Sequence, residues 1–331
     1  MPDRFSFDRA LGFPFRAAHA KTFPWIYGVA YALVNLVVFG AVMFLARGAF
    51  VKFFAAAEAL EDAQIDEDHP AEVFGAVFGL FGPLVPWMVV MGLASWVIWA
   101  MFQSASMRRY IRDENFSLRF GGDETRMMVL GLLWFLMGLV IWALPMAMMF
   151  GGIFSAVSAG IQGDLTEDEM VLRMMGGIFG GMGIMALLFP VYVFFATRLA
   201  PSFALTIKEG ELKFQDAFNV SRGRFWPILG AFLILAVGGG MIVAVVEQVF
   251  QFVLMGSMMP TMESLEGADT PEEVLSAILR PGVLIPFGIY VFISVGLRGV
   301  LQHVAGAPAA FAARHDPRGS VDDALRVGDF D

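Results

Sequence analysis

The sequence predicts an all-α membrane protein with six transmembrane helices, arranged as three helical hairpins joined by short cytoplasmic interfacial helices. Three observations carry this. Six apolar stretches each approach the roughly 20 residues that a helix needs to cross a bilayer. The chain of 331 residues is 58% hydrophobic and 16% charged, whereas soluble domains are roughly 45–50% apolar and 25% charged. The segments between the apolar stretches alternate between basic and acidic.

The spans fall near 25–46, 73–104, 127–151, 174–197, 226–247 and 281–304. The first follows a basic approach (Arg4, Arg9, Arg16, Lys21) and is too long for the apolar core of a signal peptide. The second contains Pro83 and Pro86, which predict a short outer helix ahead of a full span. Pro145, Pro190 and Pro286 sit mid-span, where they kink a helix and can mark a gate. Gly176, Gly177, Gly180, Gly181 and Gly183 predict close backbone approach in the fourth span, and Gly238 to Gly240 in the fifth. Trp25, Tyr27, Trp87 and Trp226 fall at span ends, where amphipathic rings prefer the interface. Trp134 and Trp142 lie deeper and are expected to pack on neighbouring helices.

Charge sets the orientation. Segments 1–24, 105–126, 198–225 and 298–331 hold 4, 5, 5 and 4 Lys or Arg, which is 18 of the 22. Basic residues resist translocation, so this side is cytoplasmic and both termini lie inside. The opposite loops are acidic, among them Glu58, Glu61, Asp62, Asp164, Glu167, Asp168, Glu169, Glu263 and Glu266. None has the spacing of a calcium loop, so they read as a solvated charged face.

The chain thus reads as an amphipathic N-terminal segment (1–24), a six-span domain (25–305, hairpins near 1–105, 106–200 and 201–305) and a cytoplasmic tail (306–331). Residues 211–222 predict an interfacial helix with Phe214, Ala217 and Phe218 on one face. The N-terminal approach behaves alike, with Phe7, Ala10, Leu11, Phe15 and Ala18 on one face despite Pro14.

Chemistry is sparse. There is no Cys, so thiolate catalysis and Cys-ligated metals are excluded. No H-E-x-x-H, G-x-S-x-G or phosphate-loop motif occurs, and no cofactor, metal site or nucleic-acid partner is expected. Asp123 and Glu124 adjoin Arg119 and Arg126 and suggest a local charge network. The candidate intramembrane polar residues are Asn35, Glu247 and Arg298, with Gln248 and Gln251 on the face of Glu247. Asn35 suits an interhelical hydrogen bond or, in a transporter, a solute pathway. Glu247 is read as protruding outward and Arg298 as snorkelling inward, which keeps the two apart. Arg108, Arg109, Arg112, Arg222, Arg224 and Trp226 are the candidate headgroup contacts, since cations beside the inner leaflet attract anionic lipid. A membrane-protein partner or a second copy is the other expected contact.

Residues 198–210 (RLAPSFALTIKEG) and 214–227 (FQDAFNVSRGRFWP) resemble a pattern in bacterial six-span proteins. These include the membrane domain associated with glycerophosphodiester phosphodiesterases and stand-alone alphaproteobacterial relatives. Arg198, Ala217, Ser221, Arg222 and Trp226 match the pattern, and Arg108 to Arg126 is similar to the stand-alone type. The resemblance implies a six-span fold in the bacterial inner membrane. It implies no phosphodiester hydrolysis, because the catalytic domain has no counterpart here.

Overall fold

A computed structural model of the chain describes residues 5–62, 79–161, 165–265, 276 and 279–316. Among them the regular structure is helical, and six helices are long and apolar enough to cross a membrane. The chain is therefore an all-α, multi-pass membrane protein. Side chains such as Val37, Val140, Leu187 and Ile242 point outward from these helices. Only hydrocarbon makes so much exposed apolar surface tolerable.

The helices are α1 (Phe7–Arg16), α2 (Phe23–Leu45), α3 (Arg47–Asp62), α4 (Val85–Arg112), α5 (Gly122–Ile161) and α6 (Glu167–Leu199). Then come α7 (Ser202–Glu209), α8 (Ala217–Val220), α9 (Phe225–Leu233), a π-helical turn (Ile234–Gly238), α10 (Gly239–Leu265), α11 (Pro281–Ala305) and α12 (Ala307–Arg314). Local chemistry sets several of the ends. Ser6 caps α1 by accepting from the Arg9 amide at 3.4 Å. Thr166 and Glu169 close a reciprocal capping box on α6, with the Glu169 carboxylate 2.9 Å from the Thr166 amide. Gly210, at φ 67°, ends α7 in a left-handed turn. Pro145, Pro190 and Pro286 lie inside α5, α6 and α11, which continue through them.

The chain forms two compact units. The first comprises the described residues within 1–41, 92–132 and 196–331; the second, those within 42–91 and 133–195. In the first, α1, α7, α9 and α12 pack on one another, and α10 packs along α11. Ala10, Ala231 and Phe311 form one small core, with Phe5, Phe7, Leu11 and Phe13 around it. Phe23, Tyr27, Ile98 and Phe102 form another. In the second unit α5 and α6 meet through small residues. A β-carbon built on Gly152 would lie 2.5 Å from the Gly177 Cα, so only glycine permits that approach.

Three sequence expectations change. The helix expected over 211–222 is reduced to α8, and the longer helix is α7, before Gly210. Gly210 breaks the helix, and the Lys213 amide bonds the Thr206 hydroxyl at 3.2 Å, folding 211–216 back as a turn. The stretch after 305 is not simply a tail: Pro308, at the start of α12, suits a helix N-terminus, and the Ala-rich face that follows is buried. Along α1 the buried residues are Ala10 and Pro14, while Phe15 faces outward.

Candidate functional site

The C-terminal end of α4 carries three arginines: Arg108 and Arg112, one turn apart, share a face, and Arg109 points about 100° away from Arg108. Arg108 and Arg112 therefore both face Glu114 and Asp123, while Arg109 meets a separate set of partners. Arg109 is wholly enclosed. Its Nε donates to the Ala18 carbonyl at 2.7 Å, its Nη2 to the Pro14 carbonyl at 3.0 Å, and its Nη1 to Nε2 of His303. Because Nε2 accepts, the imidazole proton sits on Nδ1, which donates to Ser106 Oγ at 2.6 Å. The Tyr110 ring stacks on the imidazole at 4.7 Å and 4°, and its hydroxyl donates to the His303 carbonyl at 3.1 Å. The Arg109 guanidinium also lies over Phe23, 5.1 Å from the ring centre. This cluster ties α4 to α11 and to the chain after α1.

Arg108 is equally enclosed and pairs with the buried Glu124 carboxylate; its Nη2 reaches the Ser117 carbonyl at 2.9 Å. Glu124 also accepts from the Gly121 amide at 2.9 Å, capping α5. Arg112 binds Asp123 at 2.8 Å and the Ile207 carbonyl at 2.5 Å. Arg126 also reaches Asp123, at 3.2 Å, and Arg119 reaches Glu114 at 3.2 Å. The charge network read around Asp123 and Glu124 thus exists, with Arg108 at its centre.

These placements correct the headgroup contacts read from the sequence. Arg108 and Arg109 are inside the protein, because internal carbonyls, a carboxylate and an imidazole occupy them. Arg224 donates to the Ala312 and His315 carbonyls at 3.0 and 3.2 Å and lies over Phe5. Burial lowers its pKa from the usual arginine value, and the Asp316 carboxylate opposes that shift. Arg112 is partly exposed but paired. Arg222 and Trp226 are the two that stand outward, Trp226 by 75%. Ser221 Oγ donates to the Arg198 carbonyl at 2.9 Å, Ala217 is buried, and Arg198 lies over the Phe218 ring.

Beside the Arg109 cluster, α1 and α12 frame an open cleft of about 390 Å³. Arg9, Arg16, Arg314, His315, Asp113 and Phe311 are among its lining residues. Three arginines face one aspartate, so the cleft is cationic. Arg314 grips Asp113 through both guanidinium branches at 3.0 Å and also donates to the Tyr110 carbonyl. Asp113 can turn its carboxylate there because it ends α4 in the left-handed region, at φ 53°. His19, also left-handed at φ 57°, donates from Nε2 to the Asp113 carbonyl at 3.3 Å. The Arg16 side chain is exposed at the end of α1. A cleft of this size and charge can take a phosphate-sized anion through charge-assisted hydrogen bonds.

The intramembrane residues also depart from expectation. Asn35 Nδ2 donates back to the Tyr31 carbonyl of its own helix at 2.8 Å, rather than to a neighbouring helix. Glu247 and Arg298 form a two-pronged ion pair, at 2.6 and 2.9 Å. Side chains lean toward the N-terminus of their helix. On the antiparallel α10 and α11 that lean brings the two together, so Arg298 points away from the basic end rather than snorkelling toward it.

Sequence reading missed Arg9, Arg16, Arg314, His315 and His303 as members of a site. The one available signal was the apolar face of 307–313, which requires that stretch to pack rather than trail. Among the described residues no three His, Asp or Glu side chains are grouped to hold a metal. No family model, no curated protein and no solved structure matches the chain significantly.

Proposed function

We propose that this chain is a non-enzymatic protein of the bacterial inner membrane, with both termini cytoplasmic, that acts by holding the phosphate of anionic lipid headgroups. The observation that carries the reading is the arginine-lined cleft between α1 and α12. The positive-inside count puts that end at the cytoplasmic leaflet, where anionic lipid concentrates. Trp25 and Trp226, exposed at the starts of α2 and α9, suit the same interface. On this reading α1 is an interfacial helix, docked by its inner face on Phe311 and Ala231 and presenting Arg16 to headgroups. The sequence resemblance at 198–227 supports the location, and the lack of catalytic motifs supports a binding role.

The test is native mass spectrometry of the detergent-purified protein titrated with phosphatidylglycerol or phosphatidylcholine. Phosphatidylglycerol adducts are expected to dominate, and Arg16→Gln to weaken them by about fivefold, the weight of one cation near the leaflet. Equal retention of both lipids, or no change in Arg9→Gln/Arg16→Gln, would overturn the reading. A reporter enzyme fused at the C-terminus checks the orientation, since activity on the outer side contradicts it.

A further inference from the structure

We propose that the face of α10 and α11 bearing the Arg298–Glu247 pair is a contact surface for a second copy of this chain within the membrane. The argument starts from depth. Gly299 packs against the ring of Tyr31, which lies more than a third of the way along the 23-residue α2. Arg298 therefore stands roughly 12 Å inside the start of that span. Its side chain leans further from the basic end to reach Glu247. The pair thus sits at hydrocarbon depth.

Exposure makes this costly. The Arg298 side chain is 67% exposed, although Glu247 is 13% exposed. A guanidinium carries five N–H donors. Glu247 takes one from Nε and one from Nη2. The other three have no acceptor among the described residues, and acyl chains offer none. An exposed, partly unsatisfied cation at this depth is expensive in lipid, so the face calls for protein against it.

The chemistry of the face selects the occupant. Arg298 and Glu247 neutralise each other, so a partner helix bearing an extra carboxylate would carry net charge into the bilayer. The acceptor has to be neutral and polar. Gln248 and Gln251, one residue and one turn beyond Glu247, are both exposed on α10. The surface therefore carries spare donors on Arg298 beside spare amide carbonyls. Such a surface is self-complementary, as a two-fold interface requires. In a pair of copies, the guanidinium of one meets the glutamine amides of the other.

The chain has no cysteine, so single cysteines report proximity without background. Gln248→Cys and Gln251→Cys, oxidised with copper phenanthroline in native membranes, are expected to yield a disulfide-linked dimer. Val140→Cys, exposed on α5, serves as the control for random collision. Adding Arg298→Leu with Glu247→Leu, which keeps the face neutral, should lower the dimer yield by about fivefold, the weight of one polar contact between membrane helices. Yield is scored against detergent-extractable monomer, so misfolded protein does not count. Cross-linking no better than Val140→Cys, linkage to a different protein, or a dimer indifferent to loss of the pair would each overturn the proposal.

Discussion

The basic end of the first unit and the α5–α6 pair of the second hold helices together by opposite means. At the basic end the contacts are charged and enclosed. Arg108 and Arg109 are among the largest fully buried side chains, and carboxylate, carbonyl and imidazole acceptors receive them. Between α5 and α6 glycines let the helices approach closely, Gly152 against Gly177 and Gly181 against Pro145 and Met149, with apolar contacts such as Trp142 on Tyr192 beside them. The contrast follows from solvent. In hydrocarbon, apolar side chains gain nothing by meeting each other, so close van der Waals approach does the work. At the membrane border water is available to the unfolded ends, so burying a charge there is costly and requires a full set of partners. One region is therefore sensitive to losing a partner, and the other to gaining a side chain.

The largest effect expected from this contrast is at Arg108. Removing it with Arg108→Leu leaves Glu124 buried and unpaired, at a cost of about 3–5 kcal/mol. Thermal unfolding in a mild detergent should show the loss. Removing both, as Arg108→Leu with Glu124→Leu, should recover much of it, because no orphaned charge remains. Glu124 also caps α5, so full recovery is not expected. If the single variant were as stable as the parent, enclosed charge would not be what holds this end.

Between α5 and α6 the direction reverses. Gly177→Leu drives a side chain into the Gly152 backbone and should cost about 1–3 kcal/mol. Gly176, its neighbour, faces open space. There Gly176→Ala should be neutral or stabilise by up to about 1 kcal/mol, the difference in helix propensity. The same unfolding measurement separates them. Equal effects at the two positions would mean that small-residue packing does not hold the pair.

The two regions were also unequally legible. The six apolar helices could be read because each is encoded by a continuous run. Their ends could not: α5 covers Gly122–Ile161, beyond the apolar stretch at 127–151. Past the hydrocarbon, capping and helix propensity decide, as Glu124 does at one end. Gly177 and Gly181 could be read from their spacing, though spacing did not distinguish them from Gly176. The basic end was nearly opaque, since Arg109 and His303 lie on separate helices and nothing local links them. The Glu247–Arg298 pair was misread by reckoning depth from span ends. Gly239, well into the fifth apolar helix that begins at Phe225, abuts Leu301 near the end of α11. Equal, upright spans would not place those residues together.

The smallest expected effect is at Asn35, the residue whose sequence reading was most suggestive. An amide within a span promises an interhelical bond or a solute pathway. Here it bonds the Tyr31 carbonyl one turn back on α2, and helical geometry already supplies that carbonyl with a backbone donor. Asn35→Leu should therefore shift stability by less than about 0.5 kcal/mol, as at positions without a distinct partner. The cost of a half-buried amide within the span is removed along with the bond, so the two changes offset. Unfolding of Asn35→Leu in detergent and uptake assays in vesicles test this together. A loss above about 1.5 kcal/mol, or altered flux of any solute, would show that Asn35 serves a partner outside its own helix and would bring back the transport reading.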